Sequence, residues 1–130
     1  MPFEGALCDP FVKRTFEFSR EQFAAYAEAS GDHNPIHLDE EFARKVGLPG
    51  VIAHGMLQMG LMGTFVVEAA GGDPRRVKRL ACRFAAMVRP GDHVTFTGQP
   101  DENGRLEMAA LNQDGERVLT KAFAEITQRG

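Results

Sequence analysis

The chain has 130 residues, 43% hydrophobic and 25% charged, with a formal net charge of −3 at pH 7. That is enough for one compact domain with its own core, and the composition is that of a folded globular protein. The mild acidity, the lack of tryptophan and the single tyrosine, Tyr26, exclude a basic, base-stacking surface for nucleic acid.

No basic stretch followed by an apolar run opens the sequence, so no secretory leader is expected and the chain reads as cytoplasmic. Cys8 and Cys82 lack metal-ligand spacing. Two free thiols in a reducing compartment is the simpler expectation, with a disulfide between them the alternative. A first strand is expected over about Lys13–Phe18, where Phe16 and Phe18 alternate with polar residues. Ser19 and Gln22 have capping-box spacing, flanked by Phe18 and Phe23 as a hydrophobic staple. The helix they open carries Phe23, Tyr26 and Ala27 on one face and stops at Gly31. Pro35 forbids regular helix through Asp32–Leu38. Asp39 then caps a short second helix that Gly47 and Pro49 end. A third helix is expected from His54–Gly55 to about Ala70; it is apolar nearly all round and so buried on most sides, with Met56, Met59 and Met62 as core filler. The apolar run Val51–Ala70 is broken by His54, Gln58, Glu68 and glycines, which argues against a membrane span. The second half is punctuated by Pro90-Gly91-Asp92, Asn103-Gly104 and Asp114-Gly115, the last two being two-residue hairpin signals. The pattern predicts an α+β fold: a meander of four strands of about ten residues plus the N-terminal strand, a curved five-stranded antiparallel sheet around one long helix.

The segment Ser30-Gly31-Asp32-His33-Asn34-Pro35-Ile36-His37 places two proton carriers, Asp32 and His37, in one irregular loop anchored between helices. A carboxylate beside an imidazole suits general acid–base work, although Asp and Asn in such a loop are also ordinary turn formers. A metal set from His33, Asp32, His37 and Asp39 is disfavoured, because Pro35 breaks the helix that would align the histidines and no thiolate joins them. Downstream, Ile52-Ala53-His54-Gly55-Met56 opens the long helix at a glycine. Free backbone N–H groups there could stabilise a developing oxyanion, or Gly55 could be only a tight helix entrance and His54 a packed core histidine.

Taken together, SGDHNPIHLDEEFA followed by IAHGML closely resembles the signature of the MaoC-like dehydratases and (R)-specific enoyl-CoA hydratases, and similar dehydratase subunits of fatty-acid elongation. The likeness continues through Gly72-Asp73-Pro74, Arg83-Phe84 and the Pro-Gly-Asp turn, covering about Tyr26–Gly98. It implies a single hot dog domain over residues 1–130. It also implies Asp32 and His37 as the catalytic pair, Asn34 holding the pair and its water, and Gly55 supplying the oxyanion N–H. His54, Met56, Ser30 and Arg83 are the residues expected nearest the substrate. The implied reaction is syn hydration of a trans-2-enoyl thioester to an (R)-3-hydroxyacyl thioester, or its reverse, with no metal or redox cofactor. Coenzyme A or acyl carrier protein is the thioester carrier. A dehydratase subunit of fatty-acid synthesis, a thioesterase, and a non-catalytic acyl-binding subunit are the alternatives; the intact Asp32, His37 and Gly55 speak against the last two. The expected assembly is a homodimer or higher oligomer, or a heterodimer with a related hot dog subunit. Arg75, Arg76, Lys78, Arg79 and Arg83 form a basic cluster, by default a solvated strand face, that could also meet phosphates or an acidic carrier.

Overall fold

A computed structural model describes residues 12–127. Its elements in order are β1 (Val12–Glu17), α1 (Arg20–Ser30), a 3-10 turn (Pro35–His37), α2 (Glu40–Lys45), α3 (Gly55–Ala69), a second 3-10 turn (Pro74–Arg76), β2 (Val77–Phe84), β3 (His93–Pro100), β4 (Arg105–Leu111) and β5 (Arg117–Ile126). Cys8 lies outside the described residues; Cys82 is a free thiol whose pKa burial pushes up.

The local signals produce the helix starts. Ser19 Oγ accepts from the Gln22 N–H at 3.1 Å, and the Phe18 and Phe23 rings lie 6.5 Å apart as the staple. The return half of the capping box is not made: Gln22 Oε1 is buried without a partner among the described residues. Asp39 Oδ1 accepts from the Phe42 N–H at 3.1 Å and opens α2. Gly31, at φ 81°, sits in the left-handed region and closes α1 with its N–H on the Ala27 carbonyl.

All strand pairs are antiparallel and the sheet order is β1-β3-β4-β5-β2. Only β3, β4 and β5 form a meander; the expected four-strand run is corrected, because β2 pairs with β5 and not with β3. The reason lies in the Pro90-Gly91-Asp92 turn. The Phe18 N–H donates to the Asp92 carbonyl at 2.9 Å and the Gly91 N–H to the Phe18 carbonyl at 2.8 Å, which ties the start of β3 to the end of β1. The strands are also shorter than ten residues except β5, and the two hairpin connections run over 101–104 and 112–116. Asx side chains lengthen them: Asp101 Oδ1 accepts from Asn103 and Arg105, and Asn112 Oδ1 from Asp114 and Glu116.

Helix α3 packs on the sheet through Leu57, Met62, Phe65 and Val66, which share one core with Phe16, Val94, Phe96, Leu106 and Ala122. Phe65 lies 5.8 Å from Phe96, whose ring meets Phe16 edge-on at 5.6 Å. Gly98 makes this approach possible: a Cβ there would stand 3.1 Å from Leu106 and 3.2 Å from Phe65. The opposite stripe of α3, Met56, Gly60, Thr64 and Glu68, is exposed, so the helix is less enclosed than its composition predicts.

Candidate active site

The loop between α1 and α2 is built by its own side chains. Ser30 Oγ accepts from the Asp32 N–H at 3.1 Å, Asp32 Oδ1 from the Asn34 N–H at 3.2 Å, and Asn34 Oδ1 from the Ile36 N–H at 3.2 Å. Each polar residue thus fixes the backbone two positions ahead, and Pro35 starts the 3-10 turn that carries His37. Ser30 and Asn34 therefore act on the frame: Ser30 holds Asp32 and Asn34 caps the turn of His37.

His37 is buried, and its Nδ1 lies 2.8 Å from the Ile52 carbonyl oxygen. A carbonyl only accepts, so Nδ1 carries the proton and Nε2 of the neutral ring is left with a free lone pair. The Ile52 N–H donates back to the Ile36 carbonyl at 3.1 Å, which locks the two loops together. His54 stacks on His37 with ring centroids 3.9 Å apart and 25° between planes. It is 1% exposed, walled by Tyr26 and Phe23, and its Nε2 donates to the Asp32 backbone carbonyl at 3.2 Å. Its Nδ1 has no partner among the described residues. Burial pushes its pKa below the ordinary histidine value, partly offset by the bond to the Asp32 carbonyl, and the neighbouring His37 lowers it further. One ligand atom each of Asp32, His37 and His54 falls within 4.8 Å of the others, with Asp32 exposed.

Helix α3 begins beside this pair. His54 is its N-cap but makes no side-chain cap bond, and the first intrahelical bond is Gln58 N–H to the His54 carbonyl at 3.2 Å. The N–H groups of Gly55, Met56 and Leu57 have no backbone acceptor among the described residues and lie at the positive end of the helix. A cleft of about 340 Å³ opens there, lined by His37, Gly55 and Gln58 together with Ile52, Ala53 and the segment Phe84–Met87. A Cβ on Gly55 would stand 3.3 Å from the Phe84 ring, so the glycine lets that ring close over the helix start.

The structure brings Asp32, His37 and His54 together, and His37 and Gly55 line the cleft beside them. His54 stacks on His37 and, like Asp32, Asn34, Ser30, Met56 and Arg83, is absent from the cleft lining; Met56 is 62% exposed. The basic cluster is divided. Arg75 forks onto Asp73, Arg79 faces Glu125 at 3.6 Å, and Arg76 is buried on the carbonyls of Ala70 and Thr127. Lys78 and Arg83 make no ion pair among the described residues. Gln58 and the segment Phe84–Met87 line the cleft and escaped the sequence reading of the site. Gln58 stood out only as a break in an apolar run, yet its spacing of three from Gly55 and four from His54 puts it on their face of the helix.

A model of the MaoC like domain matches residues 7–121. The chain belongs to the MaoC-like family. This MaoC-like domain is 40% identical over 112 residues to the fatty acid synthase beta subunit aflB of Emericella nidulans, covering 80% of the chain but 5% of that protein. It superposes on a MaoC-like dehydratase with a TM-score of 0.84 at 34% identity, over 96% of the chain and 41% of the other. On the (R)-hydratase from A. caviae involved in PHA biosynthesis the TM-score is 0.77 at 26% identity, over 89% of the chain and 93% of the other. The MaoC-like domain therefore spans a small part of its fungal relative and nearly the whole of the stand-alone hydratase. These neighbours give it the hot dog fold, and no helix among the described residues is long and apolar enough to cross a membrane.

Proposed function

We propose that the chain adds water across trans-2-enoyl thioesters to give (R)-3-hydroxyacyl thioesters, or runs the reverse elimination. The observation that carries this is the pairing of Asp32 with a His37 whose Nδ1–H is fixed on Ile52, beside the uncapped start of α3 at Gly55. Water held between the Asp32 carboxylate and His37 Nε2 meets two acceptors. It loses a proton to the pair as its oxygen bonds C3, and the pair returns a proton to C2 on the same face. Negative charge collects on the thioester oxygen between these events, and the Gly55 N–H with the positive end of α3 is the donor set that stabilises it. His54, whose pKa burial pushes down, braces the His37 ring. The similarity to an (R)-hydratase over nearly its full length supports the stereochemical assignment. Coenzyme A or acyl carrier protein enters as part of the substrate; no metal or redox group is invoked. The enzyme works in the cytoplasm as a dimer or larger assembly, with itself or with a related hot dog subunit.

Purified protein with crotonyl-CoA should lose the absorbance of the conjugated thioester and yield (R)-3-hydroxybutyryl-CoA. Asp32→Asn and His37→Ala should each lower kcat/KM by about 10²–10⁴-fold, the range for removing a positioned acid–base group. Folded variants that keep wild-type rates would remove both residues from the chemistry. The fungal fatty acid synthase relative favours a second carrier reading, dehydration on acyl carrier protein. A crotonyl group presented on carrier protein, turned over at least tenfold better than the coenzyme A thioester, would establish it.

A further inference from the structure

Gln58 is the one polar side chain of the cleft that the hydration chemistry leaves unused. It is 5% exposed, yet it lines the cleft, and its Oε1 is buried with no partner among the described residues. The rest of its amide makes no hydrogen bond among the described residues either. A glutamine amide offers two N–H donors and one carbonyl acceptor, and an enclosed acceptor left unpaired is a standing cost. The walls around it are apolar: Ile52, Ala53, Ala85, Ala86 and Met87. Its place on α3 is one turn beyond Gly55, on the same helix face. An acyl chain whose thioester oxygen sits at the Gly55 N–H and whose C3 sits at the acid–base pair would run its tail past this amide.

We infer that Gln58 is a specificity-determining residue that selects acyl thioesters carrying a hydroxyl beyond the reacting double bond, against plain alkyl chains of the same size. An alkyl tail closes water out of the cleft and leaves the amide unpaired. A hydroxyl at C4 or C5 donates to Oε1 and accepts from the amide N–H, so both partners are satisfied. Pockets built around a polar group discriminate in this direction much more sharply than apolar pockets discriminate by size. The inference rests on the enoyl thioester reading above and names the substrate class within it.

The test uses matched pairs in which a hydroxyl replaces a terminal methyl: 4-hydroxybut-2-enoyl-CoA against pent-2-enoyl-CoA, and 5-hydroxypent-2-enoyl-CoA against hex-2-enoyl-CoA. Wild-type protein should favour the hydroxylated member of at least one pair by about tenfold or more in kcat/KM. Gln58→Leu and Gln58→Met should abolish or invert that ratio while raising kcat/KM on the alkyl member. Preference for both alkyl members by wild type overturns the inference. So does an equal loss on all four substrates in the variants, which would place Gln58 in the chemistry instead. Calorimetry with the saturated, unreactive thioesters of the same pairs separates this from the reaction itself. Tighter binding of a hydroxylated thioester, lost in Gln58→Leu, without turnover of any enoyl substrate would keep the selectivity and remove the hydratase reading. No preference in binding, or no binding of either member, removes the selectivity.

Discussion

The two ends of α3 are finished in opposite ways. At its C-terminal end the guanidinium of Arg76, 9% exposed, donates to the Ala70 carbonyl at 3.1 Å and to the Thr127 carbonyl at 2.8 Å. The Thr127 N–H donates back to the Arg76 carbonyl at 2.8 Å, which pins the end of the sheet there as well. A positive charge thus meets the negative end of the helix from within the fold. At its N-terminal end nothing comparable happens. Ser19 and Asp39 cap α1 and α2 with their side chains, whereas His54 does not cap α3. Of the buried polar atoms without a partner among the described residues, His54 Nδ1 and Gln58 Oε1 lie at this end, and Arg76 Nη2 lies at the other. The same helix dipole meets a buried positive charge at one end and opens onto the cleft, without a side-chain cap, at the other.

The sharpest way to break this contrast is Gly55→Pro. Gly55 is the first residue of α3, where proline is tolerated because its N–H has no helical partner, and His54 already has the extended conformation, φ −60° and ψ 137°, that a following proline demands. The substitution deletes one N–H and little else of the helix. We expect kcat to fall by about 10²–10³-fold, the usual effect of losing one oxyanion donor, with the urea midpoint near that of wild type. Gly55→Ala is the control: it keeps the N–H and adds only a Cβ 3.3 Å from the half-exposed Phe84 ring. If proline and alanine reduce kcat equally, crowding at Phe84 and not the N–H is responsible.

The opposite end should respond in the opposite currency. Arg76→Met removes the guanidinium bonds to the carbonyls of Ala70 and Thr127, and should cost about 2 kcal/mol of stability in urea unfolding, while kcat/KM of the folded fraction stays at the wild-type level. A loss of kcat/KM without a loss of stability would mean that the two ends are coupled through α3.

How much of this is visible in the sequence depends on how far a signal reaches along the chain. The Asp32–His37 loop was legible because its bonds span two residues: Ser30 to Asp32, Asp32 to Asn34, Asn34 to Ile36. The caps at Ser19 and Asp39 and the stop at Gly31 were legible for the same reason. The β2–β5 pairing was not, because it is decided by where the turn at Gly91-Asp92 docks, on Phe18. The basic cluster read as one surface feature, yet Arg76 turns inward to end a helix while Arg75 pairs with Asp73 beside it. Phe84 read as one face of a strand, but β2 carries a register shift between Ala81 and Arg83, after which that alternation no longer predicts burial. Residues that face the cleft from different elements, such as Gln58 and Phe84, share no local pattern; only the fold brings them together.

The smallest effect tests the claim that the N-terminal end is kept neutral. Burial holds the folded-state pKa of His54 below the ordinary 6.5. The unfolded chain therefore takes up a proton at this residue before the folded one does, and stability present above pH 6.5 is lost as the pH falls below it. One proton gives a slope of at most about 1.4 kcal/mol per pH unit, read by urea unfolding between pH 6.5 and about pH 5. Glu40 adds a separate loss below its ordinary 4.5, because the Val51 N–H bonded to its carboxylate, helped by Arg20, holds its pKa down. His33 works the other way: its bond to Glu28 raises its pKa, so it contributes stability below pH 6.5 and loses it above, weakly because the pair is exposed. In His54→Gln the slope above pH 5 should flatten or take the sign set by His33, and the drop below pH 4.5 should remain. A variant that keeps the full wild-type slope would show that the proton taken up on unfolding belongs to another group, and His54 would then be a stacking partner of His37 and nothing more.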